Sequence, residues 1–263
     1  MHFDVFRLGL ATLLDLPTEL LDEIALILPV RSSLVLMRSC SRIHDVVARL
    51  LYRDVKLSGY KSRRFLTSIL SQSPSSYLYG GYIQTFEYST TNMDDACLTY
   101  PILCNALARS FNIRELSLSL PSDTADFIKT LLKKAQIVRD SIDIFLSSDG
   151  FLRGGATETR MTLPHVERLV IRGDLGLAGV ARLRKVKTIE IMDVISFRDL
   201  TSVVKTIRGQ SDTYPSLHSI SISLDITSCE SMYFMLHGLN EVFPNLVDIT
   251  IHSRHVNALV SPS

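Results

Sequence analysis

The sequence predicts an α/β protein in which a small helical module precedes a longer stretch of alternating strands and helices. Two patterns predict it. Apolar residues recur at helical spacing through residues 20–51. From residue 83 onward, an apolar-x-x-apolar-x-apolar motif recurs, with helix-like stretches between its copies. Alternation of strands with helices is typical of a parallel sheet.

The composition excludes several classes of protein. The chain has 263 residues, 46% of them hydrophobic, which is enough for a sizeable core. The net charge is +1, so we expect neither nucleic acid nor an anionic membrane surface as a partner. No apolar run approaches the ~18–20 residues that cross a bilayer.

The cysteines indicate a reducing compartment. They are too few and too scattered for a disulfide framework, and no two have the spacing of a zinc-binding or redox pair. We therefore expect buried thiols in a cytoplasmic or nuclear protein. The four are Cys40, Cys97, Cys104 and Cys229.

The first apolar pattern predicts three helices in a module that spans residues 12–57. The motif Leu16-Pro17-x-Glu19 opens the first helix, because the missing N–H of a proline costs no hydrogen bond in a first turn. Pro29 ends that helix, and Ser32-Ser33 can cap the second. Cys40-Ser41-Arg42 then leads into a third helix.

The next residues are predicted to join the module to the repeats. Residues 58–78 contain an apolar stripe typical of one short connecting helix, followed by a serine-rich stretch at 71–76 that is typical of a linker. The remaining region, 79–263, holds the recurring motif.

The copies of that motif start 20 to 53 residues apart, and the longest interval contains residues 142–146 as a degenerate copy. A strand and a helix at a period of roughly 20–31 residues indicate an irregular leucine-rich-repeat-like αβ solenoid with a parallel sheet. A plain αβ alternation remains the alternative. The copies are Ile83/Phe86/Tyr88, Ile113/Leu116/Leu118, Val166/Leu169/Ile171, Val186/Ile189/Ile191, Leu217/Ile220/Ile222 and Leu246/Ile249/Ile251.

The order of motifs in the helical module resembles the F-box, the three-helix module that docks onto the Skp adaptor of cullin-RING ubiquitin ligases. Together with the repeats, it resembles the F-box leucine-rich-repeat proteins, and most of all their divergent fungal members. Two positions depart from the usual pattern: Ile43 stands where many F-boxes have an aromatic residue, and Tyr52 replaces a frequent tryptophan.

The resemblance implies a substrate-receptor subunit of an SCF-type ligase, with a Skp-type adaptor and the cullin complex as partners. An F-box-like scaffold without ligase function is the alternative. Ile24 and Leu34 fit adaptor contact and packing within the module equally well. The positions that the resemblance assigns to the adaptor or to the core of the module are Leu16, Pro17, Leu20, Ile24, Leu28, Leu34 and Ile43.

The repeats would then hold an unknown protein substrate through the strand positions that alternate with the apolar ones. Arg168 and Arg172 are the best pair for an acidic or phosphorylated partner, because a guanidinium group matches carboxylate and phosphate geometry. Solvated surface arginines are the alternative. The candidate substrate-binding residues are Glu115, Arg168, Arg172, Glu190 and His252.

No motif in the chain predicts an enzyme, a cofactor or a metal site. Gly173-x-x-Gly176-x-x-Gly179 lacks the spacing of a nucleotide-binding loop and is interpreted as a turn between repeats. His252-x-x-His255 has no supporting cluster of cysteines or carboxylates. We therefore expect a non-catalytic protein without cofactors.

Overall fold

The structure, a computed structural model, describes residues 15–71, 73–138, 162–182, 184–208, 216–224 and 229–253. The chain divides into two compact units, one up to Asp54 and one from Val55 onward. The sequence places the corresponding boundary at residue 57.

The described part of the N-terminal unit contains three helices: α1 Thr18–Ile27, α2 Val30–Leu36 and α3 Ser41–Leu51. Pro17 and Pro29 hold the N-cap positions of α1 and α2 with extended backbone angles. The Sγ of Cys40 accepts the N–H of Ile43 at 3.5 Å and caps α3. The three predicted helices are therefore confirmed.

The start of α2 differs from the prediction. Pro29 both ends the first helix and begins the second, because its fixed φ suits a helix start as well as a helix stop. Ser33 lies inside α2, where its hydroxyl donates to the carbonyl of Pro29 at 3.2 Å instead of capping the helix.

Seven strands follow α3, with helices between most of them. The strands are β1 Asp54–Ser58, β2 Thr85–Ser89, β3 Glu115–Ser119, β4 Arg168–Arg172, β5 Thr188–Ile195, β6 Ser219–Leu224 and β7 Asp248–Ser253. The helices are α4 Ser62–Leu70, α5 Pro74–Tyr82, α6 Met93–Arg109, α7 Ala125–Lys134, α8 Phe197–Arg208 and α9 Cys229–Val242. The described residues also form 3₁₀ turns at Gly59–Lys61, Ser122–Thr124 and Leu175–Ala181.

The strands form one sheet in which each strand neighbours the next in the sequence, from β1 to β7. All pairs from β2 to β7 are parallel, so the predicted α/β fold with a parallel sheet is confirmed. The apolar positions of the recurring motif align across the sheet. One aligned row is Phe86, Leu116, Leu169, Ile189, Ile220 and Ile249, and the next is Tyr88, Leu118, Ile171, Ile191, Ile222 and Ile251.

A single backbone pattern starts each strand from β3 to β7. The carbonyl of Gln84 accepts the N–H groups of Arg114 and Glu115 at 2.8 and 3.0 Å. At each following strand up to β7, one main-chain carbonyl again accepts two consecutive N–H groups of the next strand segment. Each of these strands therefore has the same offset from its neighbour. The other accepting carbonyls belong to Arg114, Glu167, Lys187 and His218.

Side chains from the strands and helices form one continuous apolar core. The ring of Tyr100 in α6 lies stacked on Phe127, with 6.2 Å between the ring centroids. Its hydroxyl shares a hydrogen bond with the Oγ1 of Thr124 at 3.1 Å, so the polar end of the buried ring has a partner. Leu103 and Leu107 of the same helix are also fully buried.

Two stretches differ from the sequence prediction, and a third prediction is not tested. Helix α5 begins at Pro74, inside the predicted linker, and the Oγ of Ser73 caps it by accepting the N–H of Ser76. Helix α6 occupies a stretch for which the repeat pattern gives no sign. Residues 142–146, predicted as a degenerate repeat, lie outside the described residues, while β3 pairs directly with β4.

Arg184 is buried and is surrounded by main-chain carbonyls. It donates from Nη2 to the carbonyl of Ile137 at 2.6 Å, from Nε to that of Leu163 at 3.2 Å, and from Nη1 to that of Val180. Ile137 and Leu163 flank residues 139–161. Arg184 therefore joins the end of the α7 segment to the beginning of the β4 segment.

Candidate protein-binding surfaces

The N-terminal unit buries a small core and leaves much of its apolar surface open. Ala25, Ile43 and Val47 form the buried cluster between the helices. The larger exposed set comes from α1 and α2, and we call it the α1–α2 apolar surface. It consists of Leu20, Leu26, Ile27, Val30, Leu34 and Val35. Exposed apolar patches mark interaction sites, and six large apolar side chains exposed on two consecutive helices are candidates for such a patch.

The structure distributes the predicted adaptor-binding residues over three environments. Leu20 and Leu34 are 44% and 47% exposed and belong to the α1–α2 apolar surface, and Pro17 is also exposed. Ile43 is only 4% exposed and packs in the core. The remaining three, Leu16, Ile24 and Leu28, are half-buried.

The most exposed members of the surface were not among the predicted residues. Ile27 is 81% exposed and Val35 is 73% exposed, and Leu26 and Val30 are also open. The sequence carries a signal for them, because residues 24–30 are apolar at nearly every position. A short helix buries only one stripe, so such a run must leave apolar side chains outside.

Two polar contacts connect α1 and the residues before it to α3. The Nη2 of Arg42 donates to the carbonyl of Leu16 at 2.7 Å. The Nη2 of Arg49 lies 3.2 Å from the Oδ1 of Asp22. The first contact holds the opening motif against α3, and the second joins the middle of α1 to the last turn of α3.

The second unit offers one side of its sheet as a surface, and we call it the open face of the sheet. Its side chains alternate with the buried rows and are exposed or half-buried, as predicted for the outward strand positions. Hydroxyl groups dominate it. From β2 to β7 these positions are Thr85, Glu87, Ser89, Glu115, Ser117, Ser119, Arg168, Val170, Arg172, Thr188, Glu190, Met192, Ser219, Ser221, Ser223, Asp248, Thr250 and His252.

Three of the predicted substrate-binding residues meet in one ion-pair group. The Nη2 of Arg168 lies 3.0 Å from the Oε2 of Glu190 on β5. Its Nη1 lies 3.9 Å from the Oε2 of Glu115, its register partner on β3. The positive charge of Arg168 is thus largely balanced within the sheet.

Arg172 is in a different position. It is exposed and forms no ion pair with any described residue. Val170 precedes it on the same face of β4. On the neighbouring strand, Ile191 is the register partner of Ile171, and the exposed Met192 follows Ile191. Of the predicted arginine pair, Arg168 is therefore held in ion pairs within the sheet, whereas Arg172 can receive an incoming anion.

His252 lies apart from this group. It is exposed on β7, an edge strand three positions from β4, which is roughly 14 Å at the usual strand spacing. The second histidine of that motif, His255, lies outside the described residues. Among the residues that the structure describes, no group of three His, Cys, Asp or Glu side chains could hold a metal.

The predicted turn Gly173-x-x-Gly176-x-x-Gly179 lies where β4 gives way to a 3₁₀ turn. Gly173 has φ +91°, and a Cβ there would stand 1.6 Å from the carbonyl oxygen of Leu120. The carboxylate of Asp174 accepts the N–H of Gly176 at 2.7 Å. The glycines and Asp174 thus serve the geometry of this turn.

Burial raises the pKa of three described groups in the second unit. Burial raises the pKa of the Cys104 thiol to about 12. Burial also raises the pKa of Tyr100 and of Asp174, although the N–H of Gly176 acts in the opposite direction on Asp174. Such shifts follow from an apolar core and do not by themselves indicate catalysis.

Comparison with known proteins adds no family assignment. No protein-family model matches the chain, and no curated protein matches it either. Among the described helices, none is long and apolar enough to cross a membrane.

Proposed function

We propose that this chain is a non-catalytic substrate-receptor subunit of an SCF-type cullin-RING ubiquitin ligase. Its N-terminal unit is an F-box that binds a Skp-type adaptor, and its second unit is a leucine-rich-repeat-like domain that holds a target protein. The observation that carries the proposal is the α1–α2 apolar surface on a three-helix unit whose motifs resemble the F-box.

The α1–α2 apolar surface supports adaptor binding on energetic grounds. Burial of apolar surface contributes about 25 cal/mol per Å². Ile27 and Val35 gain almost none of that free energy within the chain, since they are 81% and 73% exposed. A permanent partner that covers them would recover it, and hydrophobic helical contacts are typical of obligate complexes.

The order of the sheet supports the assignment of the repeats. Each strand pairs with the next one in the chain, and the same apolar positions align at each step. A solenoid is built in this way, because one strand-helix unit cannot bury its apolar face without its neighbours. The stretches of sequence between the strands differ in length, whereas the alignment of the strands is the same at each step.

The open face of the sheet is the proposed target-binding surface. Arg168 already has two carboxylate partners, so Arg172 is the better candidate for an incoming carboxylate or phosphate. Val170 and Met192 would place apolar surface beside that contact. Holding a target close to the ubiquitin-transfer machinery makes the transfer effectively intramolecular.

Co-purification with a Skp-type adaptor tests the proposal. We expect the wild-type chain to retain the adaptor and the Leu16→Ala/Pro17→Ala variant to release it while its circular dichroism spectrum is unchanged. Tyr60→Ala is a matched control, because Tyr60 is an exposed large side chain outside the N-terminal unit. A folded wild-type chain that does not retain the adaptor in mild salt would exclude the proposal.

A scaffold without ligase function is the second candidate. Ile43 and Tyr52 depart from the usual F-box residues, and Ile43 packs in the core of the unit instead of facing a partner. If adaptor binding is present but deletion of the chain changes the abundance of no binding partner, the scaffold is the correct assignment.

A further inference from the structure

A groove lies between helices α8 and α9, on the helical side of the sheet. It encloses about 390 Å³, which is within the range of roughly 300–1,000 Å³ that is usual for small-molecule sites. Most of its lining is apolar. The lining residues are Phe197, Leu200, Thr201, Val204, Lys205, Arg208, Gly238, Leu239 and Val242.

The groove lies beside Gly238, where the described side chains of the two helices leave space between them. Leu200 and Leu239 are buried and form its floor, and Phe197 is half-exposed at one end. A Cβ added at Gly238 would meet no other atom within 4 Å. Bare backbone therefore forms part of one wall.

Two cations border the apolar groove. Lys205 and Arg208 lie in the last turn of α8, where the helix dipole stabilises their positive charges. No described residue forms an ion pair with either of them. Among the described carboxylates of the two helices, Asp199 accepts a hydrogen bond from Ser196 at the start of α8, and Glu241 lies 3.5 Å from His237.

We infer that this groove binds a single-chain amphiphile with an anionic head group, of the long-chain carboxylate class. The aliphatic tail lies along the apolar lining, and the carboxylate accepts hydrogen bonds from Lys205 and Arg208. This site is separate from the α1–α2 apolar surface and from the open face of the sheet, so the inference does not depend on the proposed ligase function.

The size of the groove favours an aliphatic chain over a helix of a partner protein. One turn of an α-helix with its side chains is about 10 Å wide and 5.4 Å long, and so occupies roughly 400 Å³. A groove of about 390 Å³ would hold no more than a single such turn. An extended alkyl chain needs no more than the apolar lining that the groove offers.

Titration calorimetry of the full chain with dodecanoate, kept below its micelle concentration, tests the inference. We expect saturable one-to-one binding to the wild type. Dodecanol should bind about tenfold more weakly or worse, because it lacks the charge-assisted hydrogen bonds of a carboxylate.

Two variants test the two halves of the site. Gly238→Leu places a side chain in the open space and should abolish binding. Lys205→Glu/Arg208→Glu reverses the charge at the border and should weaken dodecanoate binding about tenfold or more. The control Lys129→Glu/Lys185→Glu makes the same change in net charge at exposed lysines elsewhere and should bind as the wild type does.

Thermal unfolding of each variant checks that the fold is retained. No binding by the wild type, equal binding of dodecanoate and dodecanol, or undiminished binding by Gly238→Leu would each overturn the inference. None of these results bears on adaptor binding, which is measured separately.

Discussion

The guanidinium Nη2 of Arg42 donates to the main-chain carbonyl of Leu16 at 2.7 Å. Leu16 lies just before the N-cap of the first helix of the N-terminal unit, and Arg42 lies in the first turn of the third. The two sequence motifs on which the F-box resemblance rests are therefore in direct contact in the folded unit. Arg49, two turns later in α3, makes a separate contact with Asp22 of α1.

Replacing Arg42 tests whether this contact positions the opening motif. We expect Arg42→Ala to lower the free energy of unfolding by about 1 kcal/mol, the usual net value of a hydrogen bond, and to weaken adaptor binding as Leu16 loses its anchor. Urea unfolding and adaptor titration measure the two effects.

Arg49→Ala is the matched control for that variant. It breaks an exposed ion pair with Asp22, which contributes about 0–1 kcal/mol, and should leave adaptor binding unchanged. Equal loss of adaptor binding in the two variants would show that the Leu16 contact has no special role.

The α1–α2 apolar surface and the core of the same unit should respond differently to substitution. Ile27→Ser and Val35→Ser should change the free energy of unfolding by no more than about 0.5 kcal/mol, since both side chains are exposed. Ile43→Ala should cost about 2–5 kcal/mol, because it creates a cavity in the core. Urea unfolding compares them, and a large loss in either surface variant would mean that the surface is covered within the chain.

Two glycines in the second unit should respond to alanine with opposite signs. Gly173→Ala should lower the free energy of unfolding by roughly 3 kcal/mol or more, because φ is positive and the added Cβ would overlap the carbonyl of Leu120. Gly238→Ala should raise it by about 1 kcal/mol, since the helix α9 gains propensity and the methyl group meets no atom. Thermal or urea unfolding decides, and a neutral Gly173→Ala would contradict the turn geometry.

The cysteines should react with iodoacetamide at different rates. The thiolate is the nucleophile, and burial raises the pKa of Cys104 to about 12, so its thiol is protonated at pH 8. Cys97 is exposed. Peptide mass spectrometry at pH 8 should find Cys97 modified and Cys104 unmodified until the protein is unfolded in urea. Rapid labelling of Cys104 in the native protein would contradict its burial.

The sheet was predictable because its signal is local and repeated. The apolar-x-x-apolar-x-apolar spacing places three residues of each copy inside, and the copies align in the sheet as the spacing requires. The start of α8 also has a local signal in the sequence. Ser196 and Asp199 form a reciprocal cap: the carboxylate of Asp199 accepts the N–H of Ser196, and the hydroxyl of Ser196 accepts the N–H of Asp199.

Two helices were missed for physical reasons. Helix α5 has a serine-rich start and contains Gly80 and Gly81, which are residues typical of loops, yet Ser73-Pro74 is also a cap followed by a first-turn proline. Helix α6 contains Pro101, a residue that ordinarily ends a helix. In both cases packing against the core outweighs the local preference.

The candidate surfaces were only partly predictable. Family resemblance points to positions such as Leu20 and Leu34, but which apolar residues remain outside depends on how the three helices pack. Likewise, the sequence shows Arg168 and Arg172 as equals. The neutralisation of Arg168 by Glu115 and Glu190 depends on the register between strands, which no local pattern reveals.

The affinity of the full chain for a purified Skp-type adaptor decides whether the N-terminal unit is an F-box. Titration calorimetry should show one-to-one binding by the wild type and none by Ile27→Asp/Val35→Asp, which places charge on the α1–α2 apolar surface. The control Tyr60→Asp/Leu98→Asp alters exposed apolar side chains of the second unit and should bind as the wild type does. A folded wild-type chain that gives no binding, or a surface variant that binds with unchanged affinity, would show that the chain does not bind the adaptor through the α1–α2 apolar surface.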